Sequence, residues 1–142
     1  SSHMNLLQKK IKDKNLKDKC KVIGNLNYNQ IKIAYSICDL VISMPNRGEG
    51  FGRTISETLS MEKIILARNT GGALDQLEQL DSFFKINEKE LDNLSKRIKY
   101  ILELSEEKKK NILKGTRQHI IDNFSIHNMV SNYYNFYEKI SL

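Results

Sequence analysis

Two cysteines, three histidines and no apolar run near the roughly 20 residues of a membrane span mark the chain by what it has little of. Cys20 and Cys38 are too few and too isolated to frame a disulfide scaffold or a zinc site, which points to a reducing, cytoplasmic setting. There is no Asp-x-Asp motif and no histidine-rich cluster of the kind that holds a catalytic metal. No signal peptide, internal repeat or long linker is visible, so one domain is expected. Ser1, Ser2 and His3 read as a vector-derived scar, leaving 4–142 as the native segment.

What is present suits one core: 142 residues, 39% hydrophobic and 28% charged. A net charge of +6 and a pI near 9.3 suit a nucleic acid, an anionic membrane surface or a phosphorylated ligand. Lysine outnumbers arginine, and asparagine and isoleucine are abundant, a bias that an AT-rich genome also produces. Charge alone therefore selects no partner. The lysines from Lys9 to Lys21 read as a solvated helix face, with a membrane role ahead of a nucleic-acid one.

Short apolar strands are expected at 21–24 (KVIG), 39–44 (DLVISM), 63–67 (KIILA) and 82–86 (SFFKI), with helices between them. A helix over 6–18 precedes the first. Apolar strands without polar alternation, separated by helices, indicate a parallel sheet covered on both faces. Beyond Asn87 the pattern is helical, in three stripes: Leu91 to Leu102, Ile112 to Ile121 with Gly115 a modest weakness, and Ile126 to Ile140. The fold class is thus α/β, a Rossmann-like parallel sheet with flanking helices and an all-helical tail. Tyr133, Tyr134, Phe136 and Tyr137 are expected to pack, with some of the rings exposed if the chain is a fragment. His119 and His127 receive no chemistry.

Function is most legible in PNRGEGFGRTISETLS at 45–60. Gly48, Gly50 and Gly52 allow a tight turn and close approach to a ligand, and the helix that follows offers unpaired N–H groups and the positive end of its dipole. Glu57 lies about one turn in, and its side chain leans back toward that mouth, while Glu49 stays on the loop. Carboxylates on both sides of an anion-binding helix end match a ligand with hydroxyls on both sides of a phosphate, such as a nucleotide sugar. Ligands of open parallel sheets bind beyond the carboxyl ends of the strands. The loops 44–52, 68–72 and 24–27 fall at such ends and are expected to line one crevice. Arg47 and Arg68, beside two of them, either supply positive charge there or are solvated.

The ordered motifs VIGNL, DLVISMPN, EGFGRTISETLSM, KIILARNTGGALDQL and FSIHNMVSNYYNFY resemble the carboxyl-terminal half of retaining glycosyltransferases of the GT-B fold, of the family 4 or group 1 type. The resemblance runs from about Lys19 onward. It implies that Glu49 is the catalytic-site glutamate at the donor hexose and that Glu57 binds the ribose hydroxyls. It further implies that Gly50, Phe51, Gly52, Arg53 and Thr54 hold the hexose and diphosphate. Gly24, Asn25 and Leu26 would then contact the base, and Gly71, Gly72 and Asp75 match the glycine pair and acidic residue after the next strand.

Two departures stand out. Met61, Glu62 and Lys63 replace the family's Gly-x-Pro turn, and the first strand of the domain, with its diphosphate-gripping basic pair, is not seen. The chain is thus expected to be a partial donor-binding domain, without the acceptor domain and inactive alone. The implied reaction is metal-independent hexosyl transfer with retention, from a uridine or a guanosine diphosphate sugar, uridine being the family's commoner choice. The acceptor would be a polysaccharide or lipid-linked sugar at the inner face of the cytoplasmic membrane. Open beside it stand a non-catalytic nucleotide-sugar, RNA or membrane-binding module and a nucleotide-sugar epimerase of the same fold. A purely structural reading has Glu49 stabilising a helix end and Glu57 pairing with Arg53 across one turn.

Overall fold

A computed structural model describes residues 2–47 and 49–140; Gly48, one of the three loop glycines, lies outside them. The chain divides into two compact units, Ser1–Ile33 and Ala34–Leu142.

The first unit opens with α1 (Ser2–Asp13). This helix ends five residues before the expected limit because Asn15 takes a left-handed conformation at φ 55, letting Asn15 N–H donate to Lys12 O and Leu16 N–H to Ile11 O. The strand expected at 21–24 does not form. Those residues find no partner strand, Ile23 is largely exposed and Gly24 sits at φ 78, outside the extended region. α2 (Tyr28–Ile37) follows, its entry fixed by a reciprocal pair in which Gln30 N–H donates to the Asn27 side chain and Asn27 N–H to that of Gln30.

The second unit is built on a parallel sheet of β1 (Val41–Ser43), β2 (Ile65–Arg68) and β3 (Lys85–Ile86) in that spatial order. Val41 pairs with Ile65 and Ala67 with Lys85. Three strands therefore stand among the described residues where four were expected. Between them lie α3 (Arg53–Ser60) and α4 (Gly72–Leu77), and after them α5 (Leu94–Leu102), α6 (Glu106–Leu113), α7 (Thr116–Phe124) and α8 (Ile126–Ile140).

β2 shows why its sequence lacks polar alternation. Ile65 and Ala67 face Ile55, Leu59, Ala73, Leu77 and Ile120, from α3, α4 and α7. Ile64 and Leu66 face Ile86 and Ile101 on the other side. Both faces are covered, so a strand in this position is apolar throughout.

Gly115, at φ 81, ends one helix and starts the next, so the expected second stripe is two helices rather than one weakened one. The aromatic residues of α8 follow the exposed alternative rather than the packed one: Tyr133, Tyr134, Phe136 and Tyr137 are each about 60% exposed, and Tyr133 stacks on Tyr137 at 6.5 Å. Among the described residues no helix is long and apolar enough to cross a membrane.

The departure at Met61 to Lys63 has a physical signature. α3 closes with Glu62 N–H donating to Leu59 O and Lys63 N–H to Thr58 O, a left-handed cap that places Glu62 at φ 52. A β-carbon in that conformation costs about 1–2 kcal/mol, while glycine loses somewhat less in chain entropy. Glu62→Gly is therefore expected to raise stability by about 0.5–1 kcal/mol in urea unfolding. Gly115→Ala, with open space but the same backbone handicap, should lower it by a similar amount.

Candidate functional site

The loop between β1 and α3 leaves the carboxyl edge of the sheet, as the sequence predicts, and α3 starts at Arg53 behind an N-cap Gly52 at φ 78. Ile55 N–H returns to Gly52 O at 2.9 Å, while the N–H groups of Arg53 and Thr54 find no acceptor among the described residues. They are the free donors that a helix start leaves.

What gives the loop its direction is α4. Gly72 N–H donates to Glu49 O at 2.9 Å, and the Gly72 Cα lies so close that a β-carbon there would overlap the backbone carbonyls of Gly50 and Phe51. One turn on, the fully buried Gln76 side chain donates its amide to Phe51 O and, at 3.4 Å, to Gly52 O. Carbonyls only accept, which fixes the amide's orientation. In a trans peptide the N–H points opposite to the C=O. Three loop carbonyls drawn toward α4 thus turn the N–H groups of Gly50, Gly52 and Arg53 the other way, and none of these has a partner among the described residues. The result is a concentrated set of free donors, suited to an anion with several oxygens.

Glu57 stands beside this set on α3, and both of its oxygens are engaged. Oε1 accepts from the Arg53 guanidinium at 2.9 Å and Oε2 from the Tyr35 hydroxyl at 3.1 Å. The two partners differ in kind. The Arg53 side chain is 79% exposed and its one-turn pair is worth a few tenths of a kcal/mol, so a ligand hydroxyl can replace it. Tyr35 is buried and holds the carboxylate from behind. Burial, then the hydrogen bond and charge of Glu57, push the Tyr35 hydroxyl above its ordinary value of 10.0. The Arg53 pairing weighed from sequence is thus formed, yet it leaves one side of Glu57 available.

Glu49 is exposed, its carboxylate lying over Gly52 and forming no hydrogen bond or ion pair with a described residue. Phe51 is half-exposed, with its ring 6.1 Å from Phe124. Gly71, at φ 59, turns the second loop into α4, bringing Gly72 against the first loop; Asp75 is exposed in the first turn of α4. Gly24, Asn25 and Leu26 belong to the first unit, in an irregular stretch.

Arg68 departs from the solvated reading. It is largely buried, donates to Pro45 O at 3.3 Å, pairs with Glu88, and lines a small cleft with Glu49, Gly52 and Thr70. Arg47 is exposed. An apolar groove of about 690 Å³, bordered by Phe124, Ile126, Met129 and Tyr133, shares only Phe51 with these residues. No three His, Cys, Asp or Glu side chains converge as a metal site among the described residues.

The family model for glycosyl transferases of group 1 matches residues 2–119. The chain belongs to that family. Among solved structures, a glycosyltransferase from Rickettsia africae ESF-5 superposes with a TM-score of 0.84 at 29% identity, over 96% of this chain and 36% of that one. The chain thus spans about a third of that glycosyltransferase's length. A search of curated proteins gives no match. The group 1 match begins well before Lys19, taking in α1, and stops short of α8.

Sequence reasoning missed two residues of this arrangement. Gln76 occupies an apolar slot in the spacing Ala73, Gln76, Leu77, Leu80, and a lone amide on a buried stripe is a readable sign of a specific hydrogen bond. Tyr35 falls on the apolar side of α2, and no local pattern links it to Glu57, 22 positions on.

Removing the Tyr35 hydroxyl with Tyr35→Phe should cost about 1 kcal/mol in urea unfolding at pH 7. Because folding raises this hydroxyl's pKa, its protonation supports the fold fully below pH 10, and the support is lost as pH climbs from 10 through the raised value. Titrating stability against pH in the wild type should show that decline, and Tyr35→Phe should lack this part of it.

Proposed function

We propose that this chain is the donor-binding part of a retaining hexosyltransferase, which moves a hexose from a nucleoside diphosphate sugar to a carbohydrate or lipid-linked acceptor. The observation that carries the reading is the set of outward N–H groups at Gly50, Gly52, Arg53 and Thr54, standing beside Glu57. Membership of the glycosyl transferase family supplies the reaction class; the geometry supports a division of labour within it. In this reading the N–H set receives the diphosphate, and the charge that develops on the leaving phosphate during transfer is met by donors already in place. Glu57 accepts from the ribose hydroxyls in place of Arg53, while Tyr35 keeps its carboxylate from turning away.

Glu49, over Gly52 on the other side of the loop, is proposed to contact the hexose hydroxyls as the catalytic-site carboxylate. Gly24, Asn25 and Leu26 are proposed as base contacts, and Gly71 and Gly72 as the second wall of the donor site. Neither metal nor cofactor is needed in this scheme, since backbone N–H groups meet the phosphate charge, and donor binding is expected to survive chelation by EDTA. Uridine diphosphate sugars are favoured over guanosine ones. Acceptor capture, and turnover itself, are assigned to parts of the enzyme outside this chain, at the cytoplasmic face of the membrane.

Ligand-observed NMR of the chain with uridine, guanosine and adenosine diphosphate sugars, repeated on Glu57→Ala, tests the assignment. Saturation transfer to the ribose and base of one nucleotide, lost in the variant, is the expected result. Binding that ignores Glu57 but falls steeply with salt would instead favour a charged scaffold.

A further inference from the structure

We infer that Gln76 is a positioning residue for the donor: its side-chain amide holds the Phe51 and Gly52 carbonyls toward α4 and so keeps the Gly52 and Arg53 N–H groups directed at the diphosphate. The inference rests on the donor reading above and deepens it.

Gln76 touches no part of the proposed ligand and acts only through the loop. The peptide it grips lies between Phe51 and Gly52, and glycine lacks the β-carbon that would resist a flip of that peptide. An ungripped loop can therefore rotate its carbonyl into the mouth, setting a negative dipole where phosphate oxygens must sit. The Gln76 side chain is completely buried and its Oε1 has no hydrogen-bond partner among the described residues. A buried, unpartnered amide oxygen is unfavourable, by about 1–3 kcal/mol, and an apolar side chain would avoid it. The amide is accounted for by what its nitrogen does.

The grip is itself anchored. His119 Nε2 donates to the Gln76 backbone carbonyl at 2.9 Å, since that oxygen can only accept, and the Asn123 amide faces His119 Nδ1 at 3.2 Å. His119, without chemistry in the sequence, thus ties α7 to α4 directly behind the loop.

Calorimetric titration of wild type, Gln76→Met and Gln76→Glu with uridine diphosphate and uridine monophosphate tests the inference, with the guanosine pair used if the wild type prefers it. Methionine keeps the shape without the donor; glutamate sets a carboxylate against two carbonyls. The expected result is a loss of about tenfold or more in diphosphate affinity for Gln76→Met, more for Gln76→Glu, and under about twofold for the monophosphate. Equal losses on both ligands would reduce Gln76 to a packing role and overturn the inference, as would no loss on either. A readout independent of variant folding comes from the wild type, whose Gln76 side-chain amide protons should exchange slowly and shift on adding the diphosphate but not the monophosphate. Rapid exchange would contradict the grip. Failure of the wild type to bind either nucleotide would sink the donor reading itself, and is seen before any variant is made.

Discussion

The contact on which the site depends is the close approach of α4 to the loop before α3. It needs a glycine at position 72, because any β-carbon there collides with the Gly50 and Phe51 carbonyls. It needs glycines in the loop, because Gly52 sits at φ 78. With both satisfied, one backbone N–H and one side-chain amide on α4 suffice to orient three of the loop's peptides. The anion-binding character of the mouth thus originates in a neighbouring helix rather than in the loop alone. A flexible glycine loop without that backing would populate many peptide orientations, few of them with all donors aligned.

That contact is possible because β2 is the central strand. Burial of Ile65 and Ala67 against α3, α4 and α7 fixes the helices on one face, and Ile64 and Leu66 fix the opposite side. The ends of β1 and β2 lie in register, Ser43 beside Ala67, so the loops that leave them emerge together. Arg68 reinforces the arrangement by joining the end of β2 to Pro45 and Glu88. Its buried Nε, like Thr70 Oγ1 two residues on, has no hydrogen-bond partner among the described residues, a local polar cost.

Much of this was legible in the residues. The apolar runs at 39–44, 63–67 and 82–86 each overlap a strand, most fully at β2, whose burial on both faces makes its run apolar throughout, while 82–84 form a 3-10 turn before β3. The glycine loop and the start of α3 were placed correctly from local residues. The strand expected at 21–24 was not found, since an apolar stretch becomes a strand only where another strand accepts its hydrogen bonds. Gly115 was read as a blemish in a helix when its left-handed backbone makes it a boundary. Tyr35 and Gln76 escaped notice because their roles arise from contacts 22 and 25 positions away. Even so, a polar residue on a buried stripe deserved suspicion.

The central claim is that the N–H groups of Gly50, Gly52, Arg53 and Thr54 form the diphosphate site. Amide chemical shifts of the nitrogen-15-labelled chain, followed as uridine diphosphate is added, test it most directly. The account predicts that these four amide protons move downfield together, further than those elsewhere on α3 and α4, with Glu57 shifting in step. Shifts confined to the apolar groove along α8, or to the lysines of α1, with the four loop amides unmoved, would contradict it.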